Sequence, residues 1–143
     1  MLKNIPKNIN PELLKVLCEM GHSDEIVIAD GNFPGTSLAK NIIRCDSTDI
    51  LPLLESILKL LPLDHAEKAV MVMAAGSEIE GDPEIWKEYR KAIKKYDDEK
   101  NTEFLQVERH EFYERAKKSY AIVMTNDGTL YANIILKKGI IRS

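Results

Sequence analysis

Few side chains in this sequence are equipped to move a proton or to grip a polar ligand at a defined spot. His22 follows Gly21 and precedes an apolar run. An imidazole has an unperturbed pKa of about 6.5, so it can give or take a proton at neutral pH. Asp30 closes that run, at the carboxyl end of a predicted strand, where open α/β sheets place ligands. A carboxylate there accepts hydroxyl hydrogens, and Arg109, at the end of another predicted strand, offers a planar fork of donors. Tyr131 and Asn133 alternate along the last predicted strand and therefore share one face. Each also has a purely structural reading. His22 can be a solvated loop residue, Asp30 a turn cap, Arg109 a surface partner of Glu108 or Glu111, and Tyr131 a good strand former. Asn133 is the odd one, because an amide inside an apolar strand is either satisfied by backbone or held for a ligand.

Motifs for cofactor chemistry do not stand beside these residues. The stretch Gly31 to Gly35 has too few glycines for a phosphate-binding loop, and Pro34 removes an amide. There is no His-Glu-x-x-His and no Cys-x-x-Cys, and His22, His65 and His110 are widely dispersed, so no metal site is expected. Ser37 and Ser77 lack a nucleophile-elbow context.

The elements that must position the candidates follow from periodicity and punctuation. Asn10-Pro11-Glu12 opens a helix with Leu13, Leu14, Val16 and Leu17 on its apolar face, and Gly21 is placed to give it a left-handed stop. Glu25 to Asp30 reads as a buried strand, followed by a turn-rich stretch, Gly31 to Ser37. Asn41 to Cys45 is a weaker strand. Asp46-Ser47-Thr48-Asp49 then offers caps for a helix running to about Leu61. Ala69 to Ala75 suits a central strand covered on both faces. Asp82-Pro83-Glu84 opens a helix through Tyr96, and Lys94 to Asn101 reads as its charged end and a solvated loop. Phe104 to Glu108 is a strand, Glu111 to Lys118 a helix, and Tyr120 to Met124 a strand. Thr125 to Gly128 is a turn, and Leu130 to Leu136 returns as the second arm of a hairpin. Strands alternating with helices predict a three-layer α/β sandwich, its sheet mixed because of the final hairpin.

At 143 residues the chain suits a single domain spanning 1–143, and 44% hydrophobic residues suffice for one core. Twenty basic residues stand against 23 acidic ones, which argues against a nucleic-acid partner. No apolar run approaches membrane-spanning length, so no membrane partner is expected. Cys18 and Cys45 are too few for a disulfide scaffold and read as two small buried hydrophobes in a reducing compartment. With no leader segment visible, a cytoplasmic protein is expected.

Two segments about a hundred residues apart carry a resemblance. Gly21 to Asp30 (GHSDEIVIAD) and Tyr131 to Gly139 (YANIILKKG) resemble the D-ribose pyranase and L-fucose mutarotase family, together with Asn10-Pro11-Glu12-Leu13-Leu14 and the chain length. Arg109-His110-Glu111-Phe112-Tyr113-Glu114-Arg115-Ala116 resembles the fucose mutarotase branch, since the ribose branch typically has a histidine where Arg109 stands. Asp30 to Pro34 fits that side too, with Gly31-Asn32 where many fucose-type members carry Ala-His.

The resemblance implies a cofactor-free and metal-free enzyme that interconverts ring forms of a free monosaccharide, L-fucose on this branch. It implies His22 as proton donor, with Asp30, Arg109 and the segment Tyr131, Ala132 and Asn133 contacting the sugar. It further implies a homo-oligomeric ring, commonly a decamer, with sites near subunit contacts. Mutarotation suits such residues. The anomeric hydroxyl loses a proton while the ring oxygen gains one, the aldehyde rotates, and the ring recloses on either face. His22 is expected to protonate the ring oxygen, with Tyr131 or water serving the anomeric hydroxyl. The competing expectations are a D-ribose pyranase, which opens the same bond, and a sugar-binding ring without catalysis. A nucleotide-binding regulatory domain is disfavoured by the missing phosphate loops.

Overall fold

The structure is a computed structural model that describes residues 1–143. Six strands form one sheet: β1 Glu25–Ala29, β2 Ile42–Cys45, β3 Val70–Met73, β4 Leu105–Val107, β5 Ala121–Thr125 and β6 Ile134–Lys137. Their order is β2-β5-β1-β6-β3-β4. Five strands run in parallel; β6 alone is antiparallel, to β1 on one side and β3 on the other. The helices are α1 Pro11–Glu19, α2 Gly35–Leu38, α3 Ile50–Leu58, α4 Glu84–Tyr96 and α5 Arg109–Lys118.

Alternation along the strands builds the three layers. Ile26, Ile28, Val70, Val72, Ala121, Val123, Ile134 and Leu136 face the larger core, under α1, α3 and α4. Val27, Ala29, Met71, Ile122, Met124 and Ile135 face the smaller one, with Phe33, Phe112 and Ala116. The predicted three-layer α/β class is therefore the architecture found. No helix is long and apolar enough to cross a membrane.

The sheet is mixed for a reason other than the predicted one. β5 and β6 are not a hairpin: β1 lies between them. The chain leaves β5, crosses the end of β1 and enters the sheet on its far side. Strand β6 begins only at Ile134, so Tyr131 and Asn133 are not on a strand and share no strand face. Tyr131 sits at φ 59°, a left-handed conformation that extended pairing excludes.

Local starts and stops also differ. Asn10 caps α1 as predicted, its Oδ1 accepting from the Leu13 N–H at 2.8 Å. The stop is an extended Met20, not a left-handed Gly21; the left-handed residue is Ser23, at φ 72°. Asp49 precedes α3 but its side chain makes no capping bond. That bond comes from Asp127, whose Oδ2 accepts from the Ile50 N–H at 3.0 Å. The helix ends at Leu58, short of Leu61. Asp82 does not cap α4; it pairs with Arg90 at 2.9 Å. The Glu108 carboxylate caps α5 by accepting from His110 and Glu111, so Arg109 lies in a first helical turn and not at a strand end. The last three residues of the expected loop, with Leu38, form α2, and Cys18 is exposed while Cys45 is buried.

The remote cap yields a test. Asp127→Ala removes a helix cap and leaves the Ile50 and Thr129 amides unpaired. It should cost about 1–2 kcal/mol in a denaturant melt, whereas Asp49→Ala should cost almost nothing.

Candidate functional site

The carboxyl edge of the sheet gathers Asp30 and the 131–133 segment. Asn133 Oδ1 accepts from the Asp30 backbone N–H at 2.7 Å, and its Nδ2 donates to Asp30 Oδ2 at 3.2 Å. The Asn32 N–H donates to Asp30 Oδ1 at 2.9 Å. Asn133 is thus a buried amide satisfied reciprocally by a partner 103 residues away. Beside them, Thr125 Oγ1 donates to the Ala29 carbonyl at 2.8 Å, and the Asp127 carbonyl accepts from the Gly31 N–H at 2.8 Å. Burial pushes the Asp30 carboxyl above its ordinary value; the hydrogen bonds from Asn32, Asn133 and Phe33 oppose this, and the nearby Asp127 adds to it.

Helix α4 holds the segment that carries Asn133. The Trp86 indole N–H donates to the Tyr131 carbonyl at 2.9 Å, and the Tyr89 hydroxyl donates to the Ala132 carbonyl at 2.6 Å. Trp86, Tyr89 and Ala132 are all fully buried. Burial also pushes the Tyr89 phenol far up, so it remains a donor. Two aromatic donors three residues apart on one helix face therefore fix consecutive carbonyls of a left-handed turn. The Tyr131 hydroxyl projects to the loop after β3, where it accepts from the Gly76 N–H at 2.9 Å and donates to the Glu78 carboxylate.

Arg109 is exposed and pairs with neither Glu108 nor Glu111. It sits at the same edge of the sheet, but β4 is three strands from β1, on the order of 14 Å. Helix α5 runs back across the face, so Phe112 and Tyr113 both meet the Phe33 ring edge-on, at 5.8 and 5.5 Å. That aromatic group walls the side of the Asp30 turn.

His22 lies at the other edge. It precedes β1 and Asp30 follows it, and a five-residue strand separates them by roughly 17 Å. His22 has a partner that sequence reading missed. Its Nε2 lies 3.3 Å from Asp64 Oδ1, the imidazole half exposed and the aspartate buried. Both hang from the end of β6. The Ser23 N–H donates to the Lys138 carbonyl at 2.8 Å, and the Asp64 N–H donates to the Lys137 carbonyl at 3.0 Å. Gly139 keeps them close: a Cβ there would lie 3.0 Å from Asp64 Cα and 2.7 Å from the Leu63 carbonyl carbon. Burial works against the Asp64 carboxylate, but the Ala66 and His65 amides and the His22 ring outweigh it and hold it below the ordinary range. The burial contest runs the same way for Asp127, where the amides of Ile50 and Thr129 prevail.

Within one protomer the structure therefore brings together Asp30, Tyr131, Ala132 and Asn133, and separates them from His22. One edge can bind hydroxyls, and the other can exchange a proton.

Comparison with known proteins identifies the family and the fold. The RbsD / FucU transport protein family matches residues 3–141. The fucose mutarotase of Mus musculus is 48% identical over 145 residues, covering 96% of this chain and 94% of that protein. The fucose mutarotase of Streptococcus pneumoniae in complex with L-fucose superposes with a TM-score of 0.92 at 50% identity, covering 99% of this chain and 100% of that one. FucU from Bifidobacterium longum gives 0.91 at 40% identity, over 98% and 100% of the two chains.

The carboxylates should separate in a carbon-detected NMR titration. Asp30 should titrate above an ordinary aspartate, and Asp64 and Asp127 below it. The linkage signs differ accordingly. For Asp64 and Asp127 the folded value lies below the unfolded one, about 3.9, so their stabilisation is present above that pH and is lost as pH falls toward the folded values. For Asp30 the folded value lies above, so its contribution is full below the unfolded pKa and is lost as pH rises through the folded value. Asp64→Asn should flatten the acid limb of the stability curve, and Asp30→Asn should not.

Proposed function

The chain belongs to the RbsD / FucU family, on its fucose mutarotase branch, and from that premise we propose that it is a cytoplasmic, cofactor-independent mutarotase interconverting the α and β anomers of L-fucose. The observation that carries this reading is a near full-length likeness, at 50% identity, to a fucose mutarotase that holds L-fucose. The two unpaired cysteines suit a reducing compartment.

The reaction needs one proton donor, one acceptor and a hold on the hydroxyls. With Nε2 turned to Asp64, the His22 Nδ1 is the nitrogen open to a ligand. His22 protonates the ring oxygen as the hemiacetal opens, and the buried Asp64 carboxylate orients the imidazole. Asp30 accepts sugar hydroxyls through the oxygen capacity its three amide contacts leave free. Ala132 and Asn133 shape the floor, Tyr131 or water serves the anomeric hydroxyl, and Arg109 contributes donors from the start of α5.

A monosaccharide cannot bridge a gap of roughly 17 Å within one protomer. The reading therefore places the His22 and Asp64 edge of one protomer against the Asp30 and Asn133 edge of its neighbour. Repeated head to tail, that contact closes a ring, and a decamer is the assembly proposed. Leu130, beside the Asp30 edge, and Ile140 and Ile141, beside the His22 edge, are exposed apolar residues that such a contact would cover.

Magnetisation-transfer NMR on L-fucose, D-ribose and D-galactose should show the largest acceleration of anomer exchange on L-fucose. Faster ribose exchange would make the protein a pyranase, and binding without acceleration would make it a non-catalytic ring. His22→Ala should lose about a hundred- to ten-thousand-fold while still binding sugar. Dissociating His22→Ala and Asp30→Ala rings, mixing them equally and reassembling should restore about a quarter of wild-type activity, because some junctions regain both intact edges. A site confined to one protomer restores none.

A further inference from the structure

We propose that Glu78 is a positioning residue for this reaction: it fixes the Tyr131 phenol with its proton turned away from the sugar, so that the oxygen can meet a sugar hydroxyl only as an acceptor. The inference rests on the reading of Tyr131 as a sugar contact and specifies how that contact works.

A phenol has one hydrogen to donate and two lone pairs with which to accept. In Tyr131 the hydrogen goes to the Glu78 carboxylate, and one lone pair takes the Gly76 N–H at 2.9 Å. An ionised carboxylate is acceptor-only, so the direction of the phenol proton is settled by chemistry. One lone pair remains. A sugar hydroxyl reaching Tyr131 must therefore donate to it, as a hydroxyl reaching the Asp30 carboxylate must. Both are acceptors toward a sugar, and the Asn133 amide is already committed to Asp30.

The rest of Tyr131 has little freedom. Its backbone is left-handed and its carbonyl is tied to Trp86. The remaining motion is rotation of the ring about the side-chain bonds, and Gly76 and Glu78 remove it. Glu78 itself is exposed and packs against no core, so its contact with Tyr131 is not a by-product of burial. The hydrogen bond holds the Glu78 carboxyl below its ordinary range and the Tyr131 phenol above its own, so both keep one protonation state around neutrality.

Gly76 supplies a second, steric line. A Cβ at Gly76 would overlap the Glu78 carboxylate, with the carboxyl carbon only 2.6 Å away. The glycine leaves the space into which Glu78 folds back. An added methyl would meet the free end of a flexible side chain, so the loop would survive while the carboxylate was displaced from Tyr131.

The test is anomer-exchange kinetics on L-fucose with the assembled protein, each variant checked by circular dichroism and oligomer size. Glu78→Ala should raise KM roughly tenfold and leave kcat within about twofold, the pattern of a lost binding contact. Glu78→Gln retains an acceptor oxygen and should recover most of that loss. Gly76→Ala should keep the melting temperature and copy the KM of Glu78→Ala. In a Tyr131→Phe background, Glu78→Ala should add nothing. An unchanged KM in Glu78→Ala, or its full effect persisting without the phenol, overturns the inference while leaving the mutarotase reading intact. A wild-type protein that does not accelerate exchange overturns both.

Discussion

The antiparallel insertion of β6 between β1 and β3 is the constraint on which both halves of the site depend. Its entry point places Asn133 against Asp30, and its exit suspends the His22 loop and Asp64 from the carbonyls of Lys138 and Lys137. Ile134, Ile135 and Leu136 bury on alternate faces, which locks the register. A slip of one residue would expose that apolar set and break both sets of polar contacts together. The strand acts as a strut of fixed length, and the two candidate edges are its ends.

On the proposed reading that geometry separates what binds from what exchanges protons, and the environments of the two edges differ. The Asp30 edge lies on well-tied backbone: Trp86 and Tyr89 hold consecutive carbonyls from one helix, and Asp127 caps α3 while bonding the Gly31 turn. Hydroxyl recognition needs that order, because a misplaced acceptor loses a directional bond. The His22 edge is more open, an exposed imidazole on a short loop backed by a buried carboxylate. A proton carrier must reach solvent to reset its charge, and the pairing with Asp64 keeps one nitrogen oriented while the other stays free.

The layers and most elements were legible because they rest on periodicity: the apolar spacing in α1, α3 and α4 and the continuous run at β3 leave few alternatives. The place of β6 was not. Thr125-Asn126-Asp127-Gly128 has the composition of a tight turn, and turn composition predicts a hairpin. Here Asp127 spends its side chain on the Ile50 and Thr129 amides and its carbonyl on Gly31, anchoring the connection across the end of β1. Those partners are distant in the chain and leave no local trace. Cap positions failed likewise at Asp49 and Asp82, where a suitable residue stood in place but a tertiary partner took its role or its side chain.

The site shows the same division. His22, Asp30 and the Tyr131 to Asn133 segment were marked by type and neighbourhood, whereas Asp64 and Glu78 look like ordinary acids in a charged sequence. Their meaning lies in what each faces: a buried carboxylate under an imidazole, and an exposed one against a phenol held by a glycine amide. On the proposed reading, these two acids set how a small chain presents an imidazole and a phenol to a sugar. In that reading Asp64 orients the imidazole, and Glu78 holds the phenol hydrogen away from the ligand. Each thereby fixes which atom of its neighbour is left to meet the sugar. A reaction that moves one proton onto a ring oxygen needs its proton donor kept distinct from the groups that only hold hydroxyls. As proposed, the two groups, at opposite ends of β6, meet only across a subunit contact, and the fold itself keeps proton exchange and hydroxyl binding on separate edges.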